Sequence, residues 1–223
     1  MEQKGRLKNV VQTERSADLK PVHQRQAAVL ALWRWRAPVL AFELDAEWGI
    51  DPAVLESLFQ LAASGEQSDR AYRRAITDLC TAPLFTSEVD PNTVQLFQLE
   101  TISSLLTFGE LLDNPGMDVT DRVIEGSAGL ANYLDDLVDG SFYSHPSEEA
   151  HREYLANLAG RAGERYFASR NFAAESAGHR ALRALPDTAG LLDSSAGREL
   201  LALCEDFGEE LVTTMQWLRA TGH

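Results

Sequence analysis

Apolar residues recur every three or four positions along most of this chain, the spacing that places them on one face of an α-helix. No segment shows a sustained two-residue alternation bounded by hairpin turns, so the pattern predicts no β-sheet. The predicted fold is all-α, a single-domain bundle of about seven or eight mostly antiparallel helices, because short loops favour antiparallel neighbours. The predicted helices are residues 22–36 with a continuation past a kink at Pro38 to Trp48, then 51–64, 68–80, 91–113, 119–139, 147–170, 174–184 and 195–220.

Several of these helices begin and end with clear local signals. Asp51 and Asp90 are each followed by proline, which suits an N-cap residue and the first helical position. Ser147 precedes two glutamates, and acids in a first turn meet the positive end of the helix dipole. The segment "DNPG" at 113–116 and the glycine Gly140 predict two helix ends.

Composition sets the domain organisation. A chain of 223 residues that is 44% hydrophobic can bury the core of one domain. Its charge is uneven: residues 1–36 carry eight basic and three acidic side chains, whereas residues 37–223 carry twelve basic and thirty-one acidic ones. We therefore expect a basic, disordered leader at 1–21 and an acidic helical domain at 22–223. A body this acidic repels phosphate backbones, which argues against nucleic-acid binding by the domain.

The chain carries no targeting or disulfide signature. Its first twenty residues lack the apolar run of a signal peptide, and no apolar run reaches the roughly 18 residues of a membrane span. Two cysteines, Cys80 and Cys204, allow one pair at most, so reduced thiols are expected. Together these features predict a cytoplasmic protein without a membrane partner.

The segment "NYLDDLVDG" contains D-D-x-x-D, a pattern with which terpene and prenyl-diphosphate synthases hold magnesium. On a helix of about 100° per residue with Leu134 at zero, Asp135, Asp139 and Asp136 fall at about 100°, 140° and 200°. These angles predict a solvated polar face opposite the core, and no second metal motif follows in the chain. Divalent-ion binding by Asp135 and Asp139, four residues apart, is the alternative.

No other motif defines a catalytic or metal site. Glu148 and His151 have the Glu-x-x-His spacing of helical di-iron proteins, but such sites need two of these units and the chain has one. Nucleophile elbows, phosphate loops, dinucleotide fingerprints and zinc spacings are all absent from the sequence. We therefore predict no catalytic residue, no metal and no cofactor.

Two tryptophans lie near the end of the first predicted helix. Trp35 shares a face with Leu32 and Val39, so it is predicted to lie in the core. Trp33 lies at the edge of that face. Partial burial and contact with a partner are both open for it, because tryptophan is enriched where proteins bind each other.

Three segments carry a resemblance to a known family: "PVLAFELDAEWGIDPAVLESLFQLAA" (38–63), "AYRRAITDL" (71–79) and "VQLFQLETISSLLTFGELLD" (94–113). In their apolar spacing, residues 30–139 resemble the YjaG-like family of helical bacterial proteins. The resemblance implies an all-helical domain and supplies no catalytic residues.

Two functions from different classes follow from these features. The first is an acidic interaction module, for instance an inhibitor or immunity-type protein, that binds a basic protein. The alternative is a small-molecule enzyme or ligand-binding protein with a carboxylate-lined pocket between helices. The candidate partner-binding residues are Asp121, Glu125, Asp135, Asp136, Asp139, Glu205, Asp206, Glu209, Glu210 and Trp33.

Overall fold

The computed structural model describes residues 16–144, 165–185 and 190–220. Within these ranges the secondary structure is helical and contains no strand, which confirms the all-α prediction. None of the described helices is long and apolar enough to cross a membrane. The described α-helices are α1 (Pro21–Trp33), α2 (Arg36–Leu40), α3 (Pro52–Ala63), α4 (Asp69–Leu79), α5 (Thr93–Asp113), α6 (Met117–Ser144), α7 (Tyr166–Ala184) and α8 (Ser195–Ala220).

Helix α1 forms the centre of the bundle. Its residues 26–33 are all buried, and it contacts α3, α5, α6, α7 and α8. The sequence explains this position, because "AAVLALW" is apolar on every side and a helix without a polar face must be covered all round. Helices α3, α5, α6, α7 and α8 therefore pack around α1, whereas α4 packs on α3 and α5.

The predicted continuation of the first helix to Trp48 is wrong. Helix α1 ends at Trp33, α2 runs only over Arg36–Leu40, and a single 3-10 turn covers Ala46–Trp48. A proline ring clashes with the carbonyl four residues earlier, so Pro38 prevents the helix from passing through position 34. Pro38 instead lies in the first turn of α2, where its missing N–H costs nothing.

Two further helix boundaries differ from the prediction. Helix α6 passes through Gly140 and continues to Ser144, because a glycine costs only about 1 kcal/mol in a helix and ends it only in a left-handed turn. Helix α7 is continuous across 171–173, where a gap between two helices was predicted. Of the predicted helix 147–170, residues 147–164 lie outside the described residues, and so do the cap Ser147 and the pair Glu148 and His151.

The helix starts show which local signals hold. Asp51 caps α3 through a bond from the Ala53 N–H, as predicted. Helix α5 begins at Thr93, so its N-cap lies two residues after the predicted cap Asp90. Its N-cap is Asn92, which exchanges hydrogen bonds with Gln95 in a capping box. Reciprocal bonds satisfy two free N–H groups, and this explains why the helix begins here. Helix α5 ends at Asp113, where "DNPG" predicted.

The packed part of the chain begins ahead of α1. Ser16 and Leu19 are buried, and the Ser16 N–H donates to the Asp121 carboxylate on α6 at 3.0 Å. Residues 16–20, which the sequence assigned to the leader, thus lie against the bundle. Residues 1–15 lie outside the described residues.

A second apolar cluster forms where α5, α6, α7 and α8 meet. Trp35 lies in it, stacked on Phe97 with ring centroids 5.6 Å apart, and its Nε1 donates to the Ser127 hydroxyl at 2.9 Å. Trp35 is therefore a core residue, as predicted. This hydrogen bond satisfies the indole N–H, which is the only polar group of the buried Trp35 side chain.

Candidate functional site

Asp135 is not on a solvated face. It is 5% exposed, and its two carboxylate oxygens accept the backbone N–H groups of Phe167 at 3.0 Å and Ala168 at 2.8 Å. The carboxylate therefore caps the start of α7 from a neighbouring helix. The prediction of a solvated face assumed that α6 packs on one side, but it packs on two, against α1 and α5 and also against α7. A residue about 100° from the first stripe faces the second neighbour.

The environment of Asp135 changes its acidity. Burial raises the pKa of Asp135 to about 6, although the two backbone N–H groups and Arg165 act to lower it. Each Asp135 oxygen accepts one backbone N–H of α7, so the carboxylate is held against the start of that helix. Within the described part of the chain, no group of three or more His, Cys, Asp or Glu side chains could hold a metal ion.

The other two aspartates of the motif differ from each other. Asp136 is exposed, as predicted, and forms an ion pair with Arg165 at 3.1 Å. Asp139 was expected to be largely exposed, but it is half-buried. The three carboxylates thus serve different surroundings and do not converge on one ligand.

Trp33 is a core residue, which contradicts its assignment to a partner surface. It is 3% exposed, its ring meets Phe59 edge-on at 6.4 Å, and its Nε1 donates to Glu205 at 3.2 Å. Helical periodicity placed Trp33 at the edge of the apolar face that Trp35 shares with Leu32 and Val39. Since α1 is covered on all sides, that edge faces α3 and α8 instead of solvent.

Two of the four carboxylates predicted on α8 are used within the bundle. Glu205 accepts from Trp33 and from Arg36, and Glu210 accepts from the Tyr166 hydroxyl at 2.7 Å and from Arg170 at 2.8 Å. These bonds attach α8 to its neighbours. They leave two α8 carboxylates of the predicted surface, Asp206 and Glu209, which are exposed and have no ion pair or hydrogen bond within the described residues.

The carboxylates of α6 are divided in the same way. Asp121 accepts from Ser16, and Glu125 is exposed without a partner in the described part of the chain. The carboxylates predicted on α6 therefore do not form one exposed surface, and no apolar residue lies among the predicted residues. Tyr133, an exposed aromatic residue of α6, contacts Phe97, and their ring centroids are 5.6 Å apart.

Helix α8 presents a continuous outer surface that we call the α8 face, formed by Glu199, Leu203, Asp206 and Glu209. These residues follow one another at intervals of four, three and three, so they lie on one side of the helix. Leu203 is 61% exposed, more than any other large hydrophobic residue of the described ranges. On the α8 face, Leu203 therefore has carboxylates along one side, with Glu199 and Asp206 at about 40° and 60° from it around the helix and Glu209 at about 120°.

Sequence reasoning missed Leu203 because it lies in "LLALC", which has the composition of a core segment. The signal was present in the periodicity. The buried residues of α8 include Leu201, Cys204, Leu211, Met215 and Leu218. They form one stripe, and Leu203 lies about 100° away from Cys204 on that helix.

A buried polar group between α1 and α7 was also missed. Arg34 and Glu175 are 1% and 3% exposed, and the Arg34 Nη2 lies 4.0 Å from the Glu175 Oε2. Beside them the Ser127 hydroxyl donates to the Asn171 side chain at 3.2 Å. The sequence around Glu175 did not predict this buried polar cluster. Glu175 lies in an alanine-rich stretch with the composition of an ordinary helix surface.

The cysteines form no disulfide with each other. Cys80 is exposed at the end of α4, whereas Cys204 is buried among α8 core residues. Burial raises the pKa of the Cys204 thiol to about 11. A thiol with that pKa stays protonated near neutral pH and is a poor nucleophile, so Cys204 is a packing residue.

No family model, no curated protein and no solved structure matches this chain.

Proposed function

We propose that this chain is an acidic helical interaction module, of the kind that inhibitor and immunity proteins represent, and that it binds a basic protein through the α8 face. The observation that carries the proposal is Leu203, exposed at 61% and flanked by Glu199 and Asp206 on the same side of α8. An exposed leucine with carboxylates along one side is complementary to an amphipathic segment with apolar and basic side chains.

The charge of the body supports the same partner chemistry. The chain has a net charge of −14, and residues 37–223 are more acidic than the whole, with thirty-one acidic against twelve basic side chains. Such a field speeds the approach of a positively charged protein. It does not select one partner, since any polycation is attracted. Selection would come from the apolar contact at Leu203, which a charged surface alone lacks.

The α8 face fits this function better than the α6 carboxylates do. On α6, Asp135 and Asp121 are used to hold α7 and residue Ser16. On α8, Glu205 and Glu210 are used in the same way, but Asp206 is exposed next to Leu203 and Glu209 is exposed six residues beyond Leu203. Binding through the α8 face therefore needs no rearrangement of the bundle.

The apolar contact can be tested with a synthetic amphipathic helix of leucine and lysine as the basic partner, using fluorescence anisotropy at several salt concentrations. We expect Leu203→Ser to weaken binding by about tenfold, the effect of losing roughly 1.4 kcal/mol of contact. Leu203→Met keeps an apolar side chain and should bind like the wild type. Raising the salt should weaken binding by all three proteins, because screening acts on the charges.

The outcome for Leu203→Ser separates specific recognition from general attraction of a polycation. If the serine and methionine variants bind equally well while salt still abolishes binding, only the net charge is involved, and the α8 face is not a recognition surface.

A further inference from the structure

We infer a second binding site, a cleft of about 420 Å³ between the end of α8, the start of α5 and the segment after α2, which accepts a small zwitterion with an aliphatic side chain, such as a free α-amino acid. Its volume lies within the roughly 300–1,000 Å³ of small-molecule sites. The residues that carry the argument are Phe42, Glu43, Leu44, Val94, Gln98 and Arg219.

Gln98 gives the cleft a hydrogen-bonding requirement that the described residues leave unmet. Its side chain is fully buried, and its Nε2 donates to the carbonyl oxygens of Phe42 at 3.2 Å and Val39 at 3.4 Å. The Gln98 Oε1 is buried and has no hydrogen-bond partner within the described part of the chain. A buried acceptor without a donor is unfavourable, so a ligand ammonium that reaches the Gln98 Oε1 gains a hydrogen bond that the protein itself does not supply.

The cleft has three charged lining residues, Glu43, Asp45 and Arg219, and none of them forms an ion pair among the described residues. Asp45 is occupied, since it accepts from the Glu47 N–H and from the Gln95 side chain, both at 2.9 Å. Arg219 and Glu43 are exposed and have no ion pair or hydrogen bond among the described residues. A ligand that carries both an ammonium and a carboxylate is complementary to this pair, whereas a simple anion or cation meets one opposing charge.

The apolar part of the lining completes the match. Phe42 and Leu44 are buried, and Val94 in the first turn of α5 is half-buried, so together they offer a surface to an aliphatic side chain. This site lies away from the α8 face, because Arg219 is ten residues beyond Glu209 on α8, about 15 Å along the helix axis.

A second cleft of about 370 Å³, between the starts of α1 and α4 and the end of α5, lacks these features. Its basic residue Arg25 already pairs with the acidic residue Asp69 at 2.6 Å, and the other acidic lining residue, Glu66, has no basic lining residue left to accompany it. A zwitterion there would have to break an existing ion pair, whereas the cleft at Arg219 has charges ready to accept it.

The probe for this site is L-leucine, titrated into isotope-labelled protein while amide resonances are followed by NMR. L-leucinamide and 4-methylpentanoate are the comparison ligands, because they lack the carboxylate and the ammonium respectively. We expect leucine to shift resonances of residues 42–46, 94–98 and 219, with an affinity about tenfold above that of either comparison ligand, the effect of one charge contact of roughly 1.4 kcal/mol.

Matched charge variants assign the contacts. Arg219→Gln and Glu43→Gln should each weaken leucine binding by about tenfold. Arg180→Gln and Glu88→Gln, which make the same charge changes at exposed positions outside the cleft, should leave it unchanged.

Three results would overturn the inference. The first is the absence of any shift with leucine up to about 20 mM, a concentration that detects Kd values weaker than 1 mM. The second is equal binding of all three ligands, and the third is an Arg219→Gln variant that binds like Arg180→Gln.

Discussion

Asp135 is held between two opposing influences at the start of α7. Burial disfavours its charged form, whereas the N–H groups of Phe167 and Ala168 favour it. These two influences together determine how strongly the Asp135 carboxylate attaches α7 to α6 and the pH at which Asp135 becomes protonated. A carboxylate is needed here because only it offers two acceptor oxygens without a donor.

We predict that Asp135→Asn lowers the free energy of unfolding by about 1–3 kcal/mol, the cost of a buried donor that loses its acceptor. Asparagine has one acceptor oxygen, and its NH2 group would face the second backbone N–H. Urea unfolding near pH 7 measures the effect. Asp136→Asn is the matched control, since its exposed ion pair contributes at most about 1 kcal/mol. Equal effects of the two substitutions would contradict the capping role of Asp135.

The pH dependence of this contact has a definite sign. Because the folded-state pKa of about 6 exceeds the ordinary value of 3.8, the folded state binds the Asp135 proton more tightly than the unfolded chain does. The resulting stabilisation is complete below pH 3.8 and is lost as the pH rises through about 6. Carbon NMR of the Asp135 carboxyl group should show a midpoint near pH 6. A midpoint at or below the ordinary value would show that the two N–H groups outweigh burial.

The Arg34–Glu175 pair is the other residue-scale feature with a measurable consequence. We predict that Glu175→Gln destabilises the protein by about 3–5 kcal/mol, because it leaves the buried Arg34 charge uncompensated. Adding Arg34→Met should restore part of that loss, which a double-mutant cycle by chemical unfolding detects. Glu110→Gln, in the exposed pair with Arg122, is the control and should cost at most about 1 kcal/mol. A buried pair no more sensitive than this surface pair would refute the prediction.

At the scale of helices, the start of α5 distinguishes a proline-based signal from a capping box. We predict that Asn92→Ala costs about 1 kcal/mol of unfolding free energy, because it removes the acceptor for the Gln95 N–H. Asp90→Ala is the control and should change stability by less than about 0.5 kcal/mol, the usual range for surface sites. A larger loss for Asp90→Ala than for Asn92→Ala would place the helix start at the residue that the sequence first indicated.

The helices themselves could be predicted because each carries its own apolar period and its own end signals. Helices α3, α4, α5 and α8 lie close to their predicted ranges for this reason. The errors arise where an element depends on its neighbours. The break after Trp33 follows from where Pro38 falls in the register, and α6 continues past Gly140 because glycine weakens a helix without ending it.

The candidate site could be predicted only in part for the same reason. Asp206 and Glu209 are exposed and unpaired within the described residues, as the clustering of four carboxylates on α8 suggested. Asp135 and Trp33 were misplaced because a periodicity argument assumes one buried face. Helix α6 has two neighbours on different sides, and α1 is covered all round. Which carboxylates would be used inside the bundle depends on tertiary partners that a single helix does not reveal.

At the scale of the whole molecule, the bundle combines a buried apolar core with an acidic exterior. Many carboxylates of the predicted surface hold helices together, as Glu205 and Glu210 attach α8 to its neighbours. A net charge far from zero is an ordinary source of solubility. Charge alone is therefore a weak argument for recognition, and the position of the charges relative to Leu203 is the stronger one.

The most direct test compares two double variants with the same change in net charge, each measured for binding to the leucine–lysine helix. Asp206→Asn with Glu209→Gln neutralises the α8 face, and Glu125→Gln with Asp139→Asn neutralises α6 carboxylates that have no partner in the described ranges. We predict that the α8 variant loses at least about tenfold in affinity and the α6 variant less than about threefold, since only the first removes contacts. Equal losses in the two variants would contradict the account and show that the partner responds to net charge alone.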